Sequence, residues 1–413
     1  MSDIVQFLDS RKSELESIAK EVWEASEIGF QEHKSAKVQA DYLEANGFKV
    51  TRNAAGIPTA FVAEWGSGRP YIGYLGEFDA LAGVSQEISA ERKPRASGGP
   101  GHGCGHNVLG TAALGAALAL KESLQSSGES GTVRYYGCPA EELLAGKVYM
   151  AREGLFSDLD VAITWHGSSM NGVRLGSGNA MNSAKFHFYG KTAHAAGDPH
   201  NGRSALDAVE LMNVGANYLR EHVIPTARIH YVITEGGGQP NVVPAEAEVW
   251  YFVRAPHRSE VDEIYARLLD VAKGASLMTG TTFEENFLTG CYEVLLNESL
   301  ADVMWKCLQI VGPPEFDQED LDFAAKLRET FDKKSVESMM RNPEFQEFPE
   351  LKTQVVNTTL VPPRGKGRSG GGSTDVGDVS WIVPTVQMSA ATVPLGCPGH
   401  SWQNCASSGS SIG

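Results

Sequence analysis

Gly101-His102-Gly103-Cys104-Gly105-His106-Asn107 is the stretch on which the reading of this chain turns. Two imidazoles and a thiol alternate with glycines. Glycine lets the backbone bend tightly enough for neighbouring side chains to converge on one ion. Cysteine thiolate and neutral imidazole both suit zinc, and imidazole also suits manganese. The run that follows, from Val108, is Ala- and Gly-rich through Leu120, too short to span a bilayer, and reads as a buried helix ending near Leu124. Before it, Tyr71-Ile72-Gly73-Tyr74-Leu75 reads as a strand. A ligand loop between a strand and a helix is where α/β sheets collect their ligands.

Working outward, further groups of the same chemistry follow other strands. Cys138-Pro139-Ala140-Glu141-Glu142 comes after the strand Thr132-Val133-Arg134-Tyr135-Tyr136. Paired carboxylates can divide labour, one holding a metal while its neighbour acts as general base. Trp165-His166 closes the apolar run Val161-Ala162-Ile163-Thr164, and Pro398-Gly399-His400-Ser401-Trp402 lies in a loop. Glu77 and Asp79 stand just after Leu75, and Asp79 is suited to orient a histidine ligand. Singly, each has a plainer explanation: a glycine turn, an exposed helix start, a packed histidine, a turn aspartate. Their recurrence at strand ends is what favours a shared metal site.

Around these groups, strands alternate with helices, which implies an α/β layered sheet with helices on its faces. An amphipathic helix opens the chain (Ile4, Phe7, Leu8, Leu15, Ile18, Val22), and a second, Lys34 to Asn46, ends at Gly47. The pattern changes near Asn182 to a β-α-β-β-α order: a strand at Ala184, a helix from Ser204 to Glu221, strands Ala227–Thr234 and Ala247–Arg254, and a helix Ser259–Ser276. After about Gly290 come a helix from Ser299 to Val311 and a strand from Thr385 to Ala390. The expected organisation is an α/β domain with a mixed sheet flanked by helices (residues 1–181 and 291–413), interrupted by a smaller α+β domain on its own sheet (182–290). The charged stretch Asp317–Arg341 reads as a solvated helical face, and Arg364–Ser373 as a glycine-rich loop.

The 413 residues carry a formal net charge of −16, which repels nucleic acid and anionic membrane, so neither is an expected partner. An acidic substrate would need a local basic pocket. Charges throughout the first thirty residues argue against a signal peptide. Six cysteines scattered over a long chain then point to reduced thiols and a cytoplasmic protein, without a Cys397–Cys405 bridge.

The succession GEFDAL, GHGCGHN, CPAEE, WH, GKTAHAA, PNVVP and PGHSW resembles the M20 amidohydrolases, in particular the aminobenzoyl-glutamate utilisation branch and its β-alanyl dipeptidase relatives. The similarity runs across nearly the whole chain. It implies one or two divalent ions in each protomer, manganese or zinc, held by Cys104, His106, Glu142, His166 and His400. It implies that the larger domain is catalytic and the smaller a lid and dimerisation domain, with Glu141 as general base and His194, supplied across a homodimer formed by the lid, as stabiliser of the tetrahedral intermediate. Asn241 and Arg254 match positions that hold a substrate carboxylate. The implied reaction is hydrolysis of a small N-acyl or aroyl amino acid or a dipeptide, and a paired homologous chain is a further implied partner. Competing readings are deamination of an aromatic amine on the same scaffold and a non-catalytic binding protein. Two departures stand out. Many M20 enzymes have histidine where this chain has Glu77, and the family's usual helical segment after the PGHSW-like motif is not evident before Gly413, which reads as a shortened C-terminal part.

Overall fold

The computed structural model describes residues 2–413. Its strands are β1 (Lys49–Arg52), β2 (Phe61–Ser67), β3 (Tyr71–Glu77), β4 (Gly131–Cys138), β5 (Val161–Ser168), β6 (Asn171–Arg174), β7 (Ala180–Tyr189), β8 (Arg228–Glu235), β9 (Glu246–Ala255), β10 (Thr282–Cys291), β11 (Leu360–Arg364) and β12 (Thr385–Ala391). They form an eight-stranded mixed sheet and a separate four-stranded antiparallel sheet. The chain divides into two compact units. One comprises residues up to Gly176 with Leu295–Gly367 and Val379–Gly413; the other comprises Ser177–Val294 with Arg368–Asp378.

In the first unit the sheet order is β1-β2-β4-β3-β5-β12-β6-β11. The central strands β4, β3, β5 and β12 run parallel. Such strands are covered on both faces, and Val133, Tyr135, Tyr136 and Cys138 are all buried along β4. The helix His106–Ser127 carries Leu109, Ala113, Leu114, Ala117 and Leu118 into this core, where Leu114 and Leu118 meet Ile18, Val22, Leu43, Phe61 and Phe78. Gly110 lets that helix lie against the end of β3: a Cβ there would sit 2.5 Å from the Glu77 carbonyl oxygen and 2.9 Å from Gln39 Oε1. The metal-type loop and the carboxyl end of β3 are thereby held together.

The second unit has sheet order β10-β7-β9-β8, with helices Ala205–Leu219 and Arg258–Thr279 packed on it. Alternation makes one face of β7 and β9 the core: Phe186, Phe188, Val249, Tyr251 and Val253 join Val209, Met212, Ile264 and Leu268. Ser204 caps its helix by accepting from the Asp207 N–H. The glycine-rich segment from Arg368 belongs to this unit and is hydrogen-bonded to it, Asn179 N–H donating to the Gly372 carbonyl at 2.6 Å.

Several local expectations change. The opening helix is two helices, Ser2–Ser10 and Lys12–Ala25, separated at Arg11. The charged stretch is not simply a solvated face. Its helix Gln318–Arg328 starts with a reciprocal Asp317/Asp320 cap and buries Ala324 and Leu327. His400 is followed by a helix, Trp402–Ser408, with Cys405, Ala406 and Ser407 buried. His166 lies within β5 rather than beyond its end. Strands β1, β6, β10 and β11 were not anticipated. Among the described residues, no helix is long and apolar enough to cross a membrane, and all six cysteines are free.

Candidate metal centre

The six acidic, thiol and imidazole groups expected around a metal in the first unit do converge. Cys104, His106 and His166 offer ligand atoms within 4.8 Å of one another; so do Cys104, Glu142 and His400, and so do Glu77, His106 and Glu141. The convergence is built locally. Gly105, at φ +78, takes the left-handed turn that starts the helix at His106. The His400 N–H donates to the Gly103 carbonyl at 3.1 Å, tying the C-terminal loop to the glycine loop, and His400 itself adopts φ +50. Ala140, also left-handed at φ +55, turns the chain from the end of β4 into Glu141 and Glu142.

Asp79 joins two of these loops. Its Oδ1 accepts from His106 Nδ1 at 2.9 Å, and its Oδ2 accepts from the Glu142 N–H at 2.9 Å. His106 Nε2 then points into the pocket, buried and without a hydrogen-bond partner, as is Glu142 Oε1. Orphaned buried polar atoms of this kind are costly, and a cation beside each would satisfy it. His166 is oriented similarly: Nδ1 donates to the Gly167 carbonyl at 2.6 Å, leaving Nε2 at 3.4 Å from Cys104 Sγ. The donor set of one thiol, three imidazoles and carboxylate fits zinc or manganese.

Burial and the close neighbours shift most of these groups from their ordinary values. Burial and the neighbouring His106 hold His166 down to about 4, so it is a neutral imidazole ready to coordinate. Burial pushes the Cys104 thiol up to about 12, so it becomes a thiolate ligand only with a metal ion beside it. Burial opposes protonation of His106, but Cys104 and Asp79 outweigh it and raise its pKa. Burial raises Glu142 against the pull of His106. Glu142 also faces His400, whose Nε2 is 3.5 Å from Oε2.

The first imidazole of the loop is not part of this cluster. His102 is buried with Nε2 bonded to the Val22 carbonyl at 3.0 Å, and burial lowers it to about 4. It anchors the helix Lys12–Ala25 under the loop. Two charged residues close to the site were missed. Lys147 is wholly buried, with Nζ 2.7 Å from Glu77 Oε1. Glu32, also buried, accepts the Ala140 N–H at 2.8 Å and so braces the turn leading to Glu141. Nothing in their sequence surroundings separates them from surface charges.

Burial, followed by repulsion from Asp79, raises the Glu32 carboxyl to about 7. An acid whose folded pKa lies above its unfolded value costs stability progressively as pH rises from about 4.5 to about 7. Glu32→Gln keeps an acceptor for Ala140 and removes the ionisation. It should raise stability at pH 8 by up to about 3 kcal/mol and leave it unchanged at pH 4. Thermal melts at the two pH values check this; equal melting shifts at both would contradict it.

The remaining expected residues lie in the second unit. His194 forms a backbone bridge with Val242, and the Ala195 N–H donates to the Asn241 carbonyl at 3.1 Å, so the His194 and Asn241 turns are neighbours. His194 Nδ1 accepts the N–H groups of Ala196 and Gly197 at 3.2 and 3.1 Å. In the neutral ring the proton then resides on Nε2, making that atom a donor. Arg254 stands on β9, its guanidinium 5.4 Å from the Phe252 ring centre and donating to Ser373 Oγ at 3.4 Å.

Comparison with known proteins agrees with this architecture. Residues 179–277 match the peptidase dimerisation domain of the M20 family. The chain is 43% identical over 416 residues to a subunit of the p-aminobenzoyl-glutamate hydrolase of Escherichia coli, covering 98% of this chain and 86% of that protein. It is 31% identical over 334 residues to the human Xaa-Arg dipeptidase, covering 76% and 72% of the two. Among solved structures, a dinuclear metal-binding M20 peptidase from Bacillus subtilis shares the fold with a TM-score of 0.57 at 16% identity, covering 97% of this chain and 96% of that one. With a mixed α/β sheet carrying the ligand loops, a separate antiparallel sheet matching the dimerisation domain, and near full-length similarity to a hydrolase, the chain belongs to the M20 family of metallopeptidases and amidohydrolases.

Proposed function

We propose that this enzyme hydrolyses the amide bond of a small N-acyl or aroyl amino acid, aminobenzoyl-glutamate-like, or of a dipeptide. Cys104, His106, Glu142, His166 and His400 would hold two divalent ions, manganese or zinc. The observation that carries this reading is the sharing of Cys104 between two ligand triplets, with His106 and His166 on one side and Glu142 and His400 on the other. When bound, the ions would supply Lewis-acid pull on the scissile carbonyl and acidify an attacking water to near neutral pKa.

The chain's own residues do the rest. Glu141 lies in the pocket, its Oε2 3.8 Å from His106 Nε2. It takes the proton of the attacking water and returns it to the leaving amine. His194, with its proton on Nε2, donates to the developing oxyanion from the lid of the partner protomer. Arg254 and Asn241 hold the free carboxylate, the guanidinium as a planar fork.

The dimer reading draws support from β8, an edge strand exposing Tyr231, Val232 and Ile233, and from Val214 and Tyr218 exposed on the helix Ala205–Leu219. An apolar edge of this kind calls for a partner. The Escherichia coli relative is itself named as a hydrolase subunit, which supports a paired homologous chain as an additional partner. Free thiols at all six cysteines support a reducing, cytoplasmic compartment.

The test is elemental analysis followed by a mass-spectrometric screen of N-acyl amino acids, aminobenzoyl-glutamate and β-alanyl dipeptides. Release of a free amino acid is expected, lost on chelation and restored by manganese, zinc or cobalt. Undiminished turnover in protein verified metal-free would sink the reading, and release of ammonia with the amide bond left intact would replace it with deamination.

A further inference from the structure

The third ligand triplet, Glu77, His106 and Glu141, competes with the first, because both require His106 Nε2. One imidazole nitrogen has one lone pair and serves one ion. Whether the ion at His106 leans towards Cys104 and His166 or towards Glu77 and Glu141 is therefore a choice the surrounding charges must make.

Lys147 is placed to make it. Its side chain and that of Glu77 are shielded from solvent, at 0% and 3% exposure, and Nζ is 2.7 Å from Oε1. The other Glu77 oxygen, Oε2, lies 3.5 Å from His106 Nε2, on the ligand side. A buried ion pair gains little net stability over apolar residues of the same volume, so its presence beside a ligand pocket calls for another reason. Charge balance supplies one. With Cys104 as thiolate, the triplets and Asp79 contain five negative groups: Glu77, Asp79, Cys104, Glu141 and Glu142. Two divalent ions and Lys147 neutralise them. Without Lys147 the same pocket holds one negative charge too many, and Glu77 is a carboxylate free to coordinate.

We infer that Lys147 is the fixed counter-cation of the pocket: by binding Glu77 it keeps that carboxylate off the metal, favours the Cys104 side for the ion at His106 and thereby sets how tightly that ion is held. Lys147 is a positioning residue, acting through Glu77, and touches neither substrate nor ion. The inference rests on the proposed metal reading.

The experiment is Mn2+ titration of the demetallated full-length protein by calorimetry, with elemental analysis of the saturated forms. It uses wild type, Lys147→Met, Glu77→Gln and the double variant. Lys147→Met should bind Mn2+ about tenfold or more tightly at unchanged stoichiometry, because the uncompensated carboxylate is then free to join the ion at His106. The double variant should return to about wild-type affinity. Glu77→Gln alone should bind Mn2+ about tenfold or more weakly, since the carboxylate charge that offsets the ammonium is then gone. Circular dichroism establishes that each variant is folded. If Lys147→Met does not fold, Glu77→Gln carries the test, and wild-type Mn2+ affinity in it overturns the inference. Wild-type Mn2+ affinity in folded Lys147→Met also overturns it. Failure of the wild type to bind any divalent ion is a distinct result, which overturns the proposed function itself.

Discussion

Glu141→Gln should retain its metal ions and its fold while losing turnover by about 100- to 10,000-fold, the range that general acid–base groups contribute. The amide preserves the shape of the carboxylate but accepts no proton. The neighbouring residue should behave oppositely. Glu142 presents Oε1 to the pocket without a hydrogen-bond partner and has its backbone fixed by Asp79, the arrangement of a ligand. Glu142→Gln should therefore lose metal first, with activity partly recovered by excess Mn2+. Elemental analysis of both variants, with rates measured at increasing Mn2+, separates the two roles. Metal loss in the Glu141 variant and retention in the Glu142 variant would reverse them.

His194→Ala should lower turnover by about 100- to 1000-fold, as removal of one oxyanion donor does, with metal content unchanged. Its two bonds from Ala196 and Gly197 fix the tautomer, so the loss should come mainly in kcat rather than in KM. If the donor comes from the partner's lid, mixing His194→Ala with Glu141→Gln creates heterodimers in which one of two sites has both an intact base and an intact histidine. With full exchange of protomers at equal amounts, activity should return to about a quarter of wild type. Demonstrated exchange with no recovery would place the histidine in its own chain's site or outside catalysis.

The residues that converge on the candidate metal centre were legible in the sequence because each sits in a short, chemically unusual motif whose residue types have few other uses. Cys104 and His106 are separated by a single glycine, and Glu141, Glu142, His166 and His400 each follow a run that reads as strand or loop. The alternation of strand and helix likewise determined the fold class, since an amphipathic period is a local property. What escaped was decided by contacts distant in sequence. The edge strand β10 presents Glu284, Glu285 and Asn286 in succession, so it lacks a buried alternation and is recognisable only by its pairing with β7. The segment from Arg368 reads as a loop and joins the second unit through hydrogen bonds to Ser177 and Asn179 nearly two hundred residues away. Within the glycine loop, spacing alone does not distinguish His102 from His106; a carbonyl on one helix claims the first and Asp79 turns the second inward. Lys147 and Glu32 look like surface charges in sequence, yet the fold buries one against Glu77 and the other against Ala140, 108 positions away. A motif can name a ligand because coordination chemistry is written in residue type. The burial of a charge is a property of the whole fold, and that burial is what turns Lys147 and Glu32 from solvated side chains into parts of the site.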